Sequence, residues 1–299
     1  MDFELLKGKT FLITGATGFI GSYIVKKLLS YDANIIVITH KTDLFIDSVE
    51  KIRYDGTYES ISTHLEDSKI DGVLHLATMF TSNHKTNQIG DLIDSNIKFG
   101  TYLLEFSKNK KIPFFINTST FAQYFEHNGY NPQNLYAATK QSFEDVISYY
   151  KEDSDIFFMT LELTDTYGKN DTRPKFINQL LSAIVNNTEF RMSKGEQQIN
   201  YLNVEDASDA FLCAILLILN QKVKNGSHFS VYSNETYVLI DLVKDVVSKF
   251  ESKIQINNNF YPYRKREMMA FKPNYPKLPY WDAKTPLMDG IAQLLNINN

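Results

Sequence analysis

Residues 11–22 read Phe11-Leu12-Ile13-Thr14-Gly15-Ala16-Thr17-Gly18-Phe19-Ile20-Gly21-Ser22. The apolar run Thr10–Thr14 is short enough to be one buried strand. It passes into glycines at 15, 18 and 21, and then into the amphipathic stretch Ser22–Ser30. Strand, glycine turn and helix in that order form a cradle for phosphate. The turn aims backbone N–H groups from a helix N-terminus, where the macrodipole favours an anion. Glycines let the chain turn tightly and let a pyrophosphate approach. The pattern carries weight because of this context. It marks Gly15, Thr17, Gly18, Phe19, Ile20 and Gly21 as candidate dinucleotide ligands. The bland alternative is a plain strand-to-helix turn.

Outward from this turn, strand and helix patterns alternate. Thr10–Thr14, Asn34–Thr39, Gly72–Leu76, Pro113–Thr118 and Phe157–Leu163 are short apolar runs, as buried parallel strands require. Helical stretches are expected at Gly21–Ser30, Tyr58–Asp67, Asp94–Lys108 and Tyr136–Lys151. The alternation predicts an α/β fold, a doubly wound parallel-sheet Rossmann domain over residues 1–166. Residues 167–299 are less regular, with helices expected at Lys175–Asn187, Val204–Asn220, within Glu235–Glu251 and near Met288–Leu295. They predict a smaller, intertwined substrate lobe. Gly15, His40, Ala77, Thr120 and Asp165 all fall just past strand ends, so one crevice can gather them.

The 299 residues are 43% hydrophobic and 22% charged, enough for a packed core. A net charge of −4 argues against a general nucleic-acid partner. The one cysteine, Cys213, sits in an apolar run and is expected to be a buried thiol, which fits a reducing cytoplasm. No signal-peptide pattern opens the sequence. No run approaches the ~20 apolar residues of a membrane span. No His, Asp, Glu or Cys cluster has metal-ligand spacing.

Tyr136-Ala137-Ala138-Thr139-Lys140 places a phenol and an amine one helical turn apart. A free tyrosine, with a pKa of ~10, is a poor acid or base at neutral pH. An ammonium ~4 Å away at an effective dielectric of ~20 favours phenolate by about 4 kcal/mol, roughly three pKa units. The sequence therefore predicts a lowered Tyr136.

Together with His75-Leu76-Ala77-Thr78, Asn96-Ile97-Lys98-Phe99-Gly100-Thr101, Thr118-Ser119-Thr120, Tyr167-Gly168 and Val204-Glu205-Asp206-Ala207-Ser208-Asp209-Ala210, these motifs run almost the length of the chain. The chain resembles the extended short-chain dehydrogenase/reductases, in the NAD-dependent epimerase/dehydratase branch. It is most similar to reductases of CDP- or dTDP-linked 4-keto-6-deoxyhexoses, the abequose-synthase kind. The resemblance implies that Tyr136 protonates a carbonyl oxygen as hydride arrives. Lys140 then assists and holds the nicotinamide ribose, and Thr120 hydrogen-bonds the same oxygen. It also implies that Leu76, Ala77, Thr78 and Thr118 line the cofactor. Asn96 either braces the active-site backbone or caps a helix. His75 is read as a packing residue. The family's 4,6-dehydratases carry Asp-Glu after the Thr. Phe121 and Ala122 stand there instead, and neither can carry a proton.

Cofactor choice is read at the end of the second strand, where NAD enzymes usually place an acidic residue. Thr39, His40 and Lys41 stand there, which favours NADP(H) over NAD(H), although Asp43 follows closely. Asp165 is the candidate ligand for a sugar hydroxyl. Arg264, in Tyr-Arg-Lys-Arg-Glu, is the candidate diphosphate clamp, with Arg191 or Lys194 as helpers. The family's Arg-Asp before the Val-x-Asp motif is replaced by Ile199 and Asn200. The substrate implied is a nucleotide sugar for a surface polysaccharide. A homodimer through the helices at 94–108 and 136–151 is also implied. An NAD-retaining 4-epimerase and a non-catalytic dinucleotide sensor are the competing readings.

Overall fold

The computed structural model describes residues 2–40, 49–127 and 129–295. Seven strands form one parallel sheet: β1 Thr10–Thr14, β2 Asn34–Thr39, β3 Glu50–Arg53, β4 Gly72–His75, β5 Phe114–Thr120, β6 Phe157–Leu163 and β7 Ser227–Val231. Their spatial order is β7-β6-β5-β4-β1-β2-β3. The order reverses between β1 and β4, which opens a crevice past their carboxyl ends. All five strands read from the sequence are present. β3 and β7 were not anticipated. β3 has a single buried residue, Ile52, among charged neighbours, and β7 is polar along most of its length.

Helix α1, Phe19–Ser30, follows the glycine turn. Helix α2, Phe99–Asn109, continues a helical path that begins at Ile89 and passes through a π turn at Asp94–Lys98. Helix α3, Leu135–Glu152, carries Tyr136 and Lys140. The helix expected at 58–67 shrinks to Glu59–Ser62. There the Ser60 hydroxyl bonds the Thr57 carbonyl at 2.9 Å. Short polar side chains of this kind compete with the helical ladder.

The chain leaves the sheet at Thr164 and returns. Helix α4, Phe176–Asn186, stands in the outer lobe, whereas helix α5, Val204–Leu219, packs on the sheet. Strand β7 then adds to the β6 edge in parallel register. Helices α6, Leu239–Lys249, and α7, Leu287–Leu294, complete the outer lobe. The sheet has an apolar cluster on each face, and the outer lobe has its own core around Tyr167, Leu180, Tyr201 and Leu242. Cys213 is buried in the α5 cluster. Among the described residues, no helix is long and apolar enough to cross a membrane.

Candidate active site

The glycine turn fits against β4 with no room for side chains. Gly15 has φ +71°, and a Cβ there would lie 2.7 Å from the Ala77 nitrogen. Thr14 closes the same junction from β1. Its hydroxyl meets His75 Nδ1 at 2.8 Å and accepts from the Ala77 N–H at 3.2 Å. Gly18 caps α1 without a side chain, and the first helical bond runs from the Ser22 N–H to the Gly18 carbonyl at 3.1 Å. The N–H groups of Phe19, Ile20 and Gly21 therefore precede the ladder and stand ready for an anion. Past the end of β4, the Thr118 hydroxyl on β5 is buried with no partner among the described residues. This chain's residues fit a dinucleotide.

At the end of β2, the Thr39 hydroxyl donates weakly to the Ile52 carbonyl, at 3.4 Å. His40 is exposed beside Tyr54. Lys41 and Asp43 lie outside the described residues. Among the described residues, no carboxylate occupies the strand end: Thr39 closes β2 and His40 follows it. Arg53, exposed on β3, lies in register with Thr39. Its place is hidden in the sequence because β3 has only one buried residue.

Asn134 caps α3, which begins at Leu135, one residue before the expected Tyr136. Its side chain accepts from the Ala137 N–H at 2.9 Å. Tyr136 and Lys140 are both buried, at 8% and 2% exposed. The π turn places Asn96 against this helix. The Asn96 amide accepts from the Met79 N–H at 2.7 Å and donates to the Thr139 hydroxyl at 2.9 Å. It therefore braces the loop after β4 onto α3, and the capping alternative falls away. A backbone bond from the Gln133 N–H to the Ala122 carbonyl, 2.8 Å, ties the turn after Thr120 to the start of α3. Thr120 itself is 9% exposed at the tip of β5. Ala122 is buried and Phe121 packs edge-on against Phe271, so apolar contacts fill the two positions after Thr120.

The expected lowering of Tyr136 does not occur. Burial pushes its phenol up to about 12, with Asp165 adding to the rise and Thr78 and Arg173 opposing it. Burial of the ammonium likewise brings Lys140 down to about 8, opposed by Glu144. Desolvation is the dominant cause at both groups. The protein alone therefore presents a neutral phenol, the form that donates a proton. His75, enclosed by Phe99, Phe115 and Phe143, is held neutral, its pKa lowered to about 3 by burial and then by Lys140.

Three cations act on Asp165 or Tyr136. Lys175 pairs with Asp165 at 2.9 Å and lies 4.2 Å above the Phe80 ring, which in turn packs edge-on against Tyr136 at 5.0 Å. Arg173 is held by Asp171 and lies 4.5 Å over the Phe19 ring. Neither cation was singled out from the sequence. Their signal was two basic residues in the loop between the last Rossmann strand and α4. Arg264 is gripped at both ends by Glu267, each contact at 2.9 Å, with Asp165 also within electrostatic reach. Arg266 is committed elsewhere, bound to Asn131 and stacked on Phe125. Arg191 pairs with Glu189 at 2.6 Å. Asn200 is a buried brace that donates to the Ser233 and Glu235 carbonyls at 2.8 Å each.

The NAD dependent epimerase/dehydratase family model matches residues 11–231, which hold every motif described above except Arg264. The chain belongs to this family. Within the family, it is 27% identical to a CDP-abequose synthase of Yersinia pseudotuberculosis, over 94% of this chain and 97% of that protein. A CDP-abequose synthase of Salmonella muenchen is 26% identical over 97% of this chain and 98% of its own length. The fold also matches MoeE5 in complex with UDP-glucose and NAD, at TM-score 0.80 and 19% identity, covering 96% of this chain and 97% of that one.

Proposed function

We propose that this protein reduces the C4 ketone of a CDP- or dTDP-linked 4-keto-6-deoxyhexose, with NADPH preferred and NADH possible. The observation that carries the reading is the buried, neutral Tyr136 beside Lys140, combined with Phe121 and Ala122 after Thr120. A neutral phenol serves reduction, in which the carbonyl oxygen must gain a proton. Phe121 and Ala122 cannot carry the protons that elimination of water requires.

When bound, the nicotinamide cofactor supplies the hydride. Tyr136 gives its proton to the ketone oxygen and Thr120 donates a second hydrogen bond to it. Lys140 stabilises the phenolate that remains and holds the nicotinamide ribose. Leu76, Ala77, Thr78 and Thr118 line that end of the cofactor, and the N–H groups of Phe19, Ile20 and Gly21 take its pyrophosphate. His40 and Arg53 offer donors to a ribose 2′-phosphate. Asp165, oriented by Lys175, takes a sugar hydroxyl. Arg264 takes the sugar diphosphate by exchanging Glu267 for phosphate. The proposal includes a cytoplasmic setting, a homodimer through α2 and α3, and domains divided near residue 166.

The kinship in sequence with CDP-abequose synthases over nearly the whole chain supports the substrate class. The test is consumption of NADPH on adding CDP- or dTDP-4-keto-6-deoxyglucose. Interconversion of sugar epimers by enzyme with retained NAD, needing no added reductant, would favour the epimerase reading instead.

A further inference from the structure

Glu144 is a buried carboxylate that the reaction described above does not use. It lies one turn beyond Lys140 on α3, and the two residues are 6% and 2% exposed. One carboxylate oxygen, Oε1, contacts the Ser119 hydroxyl and accepts from the Gln123 amide at 3.3 Å. Ser119 precedes Thr120 on β5. Gln123 closes the turn that follows, where its own oxygen accepts from the Thr120 N–H at 3.4 Å. The other oxygen, Oε2, faces a polar cavity of about 190 Å³ lined by Tyr124, Gln141, His228 and Tyr275, and lies 3.9 Å from His228 Nδ1.

A buried charge is costly unless it is compensated. Lys140 and Glu144 share one buried face of the same helix at i and i+4 spacing. The remaining groups around them do not supply the compensation. Toward Lys140 stand Tyr136 on α3 itself and the neutral His75 on β4. Toward Glu144 stand His228 on β7, Glu162 on β6, Tyr124 and Tyr275 across the cavity, and Lys151 on α3 at its rim. Burial pushes His228 below the ordinary imidazole range, and it pushes Glu162 up toward its neutral form.

We infer that Glu144 is a positioning residue that acts on both arms of the site. Its charge keeps the buried Lys140 an ammonium, and its hydrogen bonds hold the strand end that presents Thr120. The second arm rests on the reductase reading, whereas the first is independent of any substrate.

Glu144→Gln separates the two, because the amide keeps an acceptor for Ser119 and loses the charge. Titration of Lys140 in the cofactor-free protein, by NMR of labelled lysine side chains with Lys140→Arg as the assignment control, reads the first arm directly. Glu144→Gln is expected to lower the Lys140 midpoint by ~1 pH unit, the effect of removing one nearby opposite charge. Ser119→Ala and Glu144→Asp keep the carboxylate and should leave that midpoint within ~0.3 units. In turnover, Ser119→Ala should lower kcat without moving the alkaline limb of the pH profile, and Glu144→Gln should move that limb to lower pH. An unmoved Lys140 midpoint in Glu144→Gln overturns the charge arm. If Glu144→Gln does not fold, a large midpoint shift in Glu144→Asp or Ser119→Ala overturns it equally. Inactivity of the wild type on every 4-keto sugar, with the NMR shift present, would reject the reductase reading and leave the charge arm standing.

Discussion

Gly21 lies so close to Gly15 that a Cβ built on it would stand 2.2 Å from the Gly15 carbonyl oxygen. The first turn of α1 is therefore locked to the loop that leaves β1, and the free N–H groups between them owe their direction to that contact. Gly21→Ala must push the turn apart. Dinucleotide affinity is expected to fall at least ~tenfold, a loss of about 1.4 kcal/mol. The melting temperature should fall as well. Calorimetric titration of both proteins with NADPH checks this, and equal affinities would mean that the turn is not the cradle.

Lys140 should destabilise the cofactor-free fold at neutral pH. Its folded pKa of about 8 lies below the ordinary 10.5. Between those values the unfolded chain holds a proton that the folded chain lacks, so stability rises with pH across that window. Below it, the buried ammonium costs on the order of 3 kcal/mol. Lys140→Met is expected to raise the melting temperature at pH 7 and to abolish turnover. Its stability gain should fade as the pH approaches 10.5. A gain that does not vary with pH, or a loss of stability at pH 7, would show that the amine is not held at a cost.

Arg53 stands in register with Thr39, the non-acidic residue that closes β2. NADPH is expected to be preferred over NADH. Arg53→Ala should weaken NADPH and leave NADH nearly unchanged, by about 1.5–3 kcal/mol if the guanidinium bonds the phosphate. Thr39→Asp should reverse the preference through charge repulsion. Ratios of kcat/KM for the two cofactors are the measurement. A wild type that prefers NADH would place the decision in residues 41–48.

Arg264 must leave Glu267 to grip a diphosphate. Arg264→Ala should raise the substrate KM at least ~tenfold. Turnover should change less, because a group remote from C4 is held alike in ground and transition states. Glu267→Gln should not raise KM, since it loosens a competitor. An unchanged KM in Arg264→Ala would assign Arg264 to its surface ion pair alone and leave the clamp to Arg173 or Lys175.

The sheet core was legible because buried parallel strands are short apolar runs and the glycine turn has one architectural context. Strand β3 was hidden by Glu50, Lys51 and Arg53 around the lone buried Ile52, and β7 by Ser227, His228 and Ser230. The phenol and amine on α3 could be read from their spacing. Their protonation could not, because desolvation depends on what the rest of the chain packs around them. The cations were harder still. Arg264 is singled out in the sequence by its basic cluster, whereas Arg173 and Lys175 carry no such mark. Only the fold gives Arg264, Arg266, Arg173 and Lys175 their partners Glu267, Asn131, Asp171 and Asp165. Glu144 reads as an ordinary helical carboxylate until β5 brings Ser119 against it.

Reduction at C4 is tested most directly by following the hydride itself. NADPH deuterated at the transferable position of nicotinamide C4 is incubated with CDP- or dTDP-4-keto-6-deoxyglucose, and the sugar product is read by NMR. One deuterium is expected at C4 of a 4-hydroxy sugar for each NADPH oxidised, with the rate in Tyr136→Phe lower by about two to four orders of magnitude. Sugar conversion without deuterium at C4, or a Tyr136→Phe variant that transfers it at the wild-type rate, would contradict this expectation.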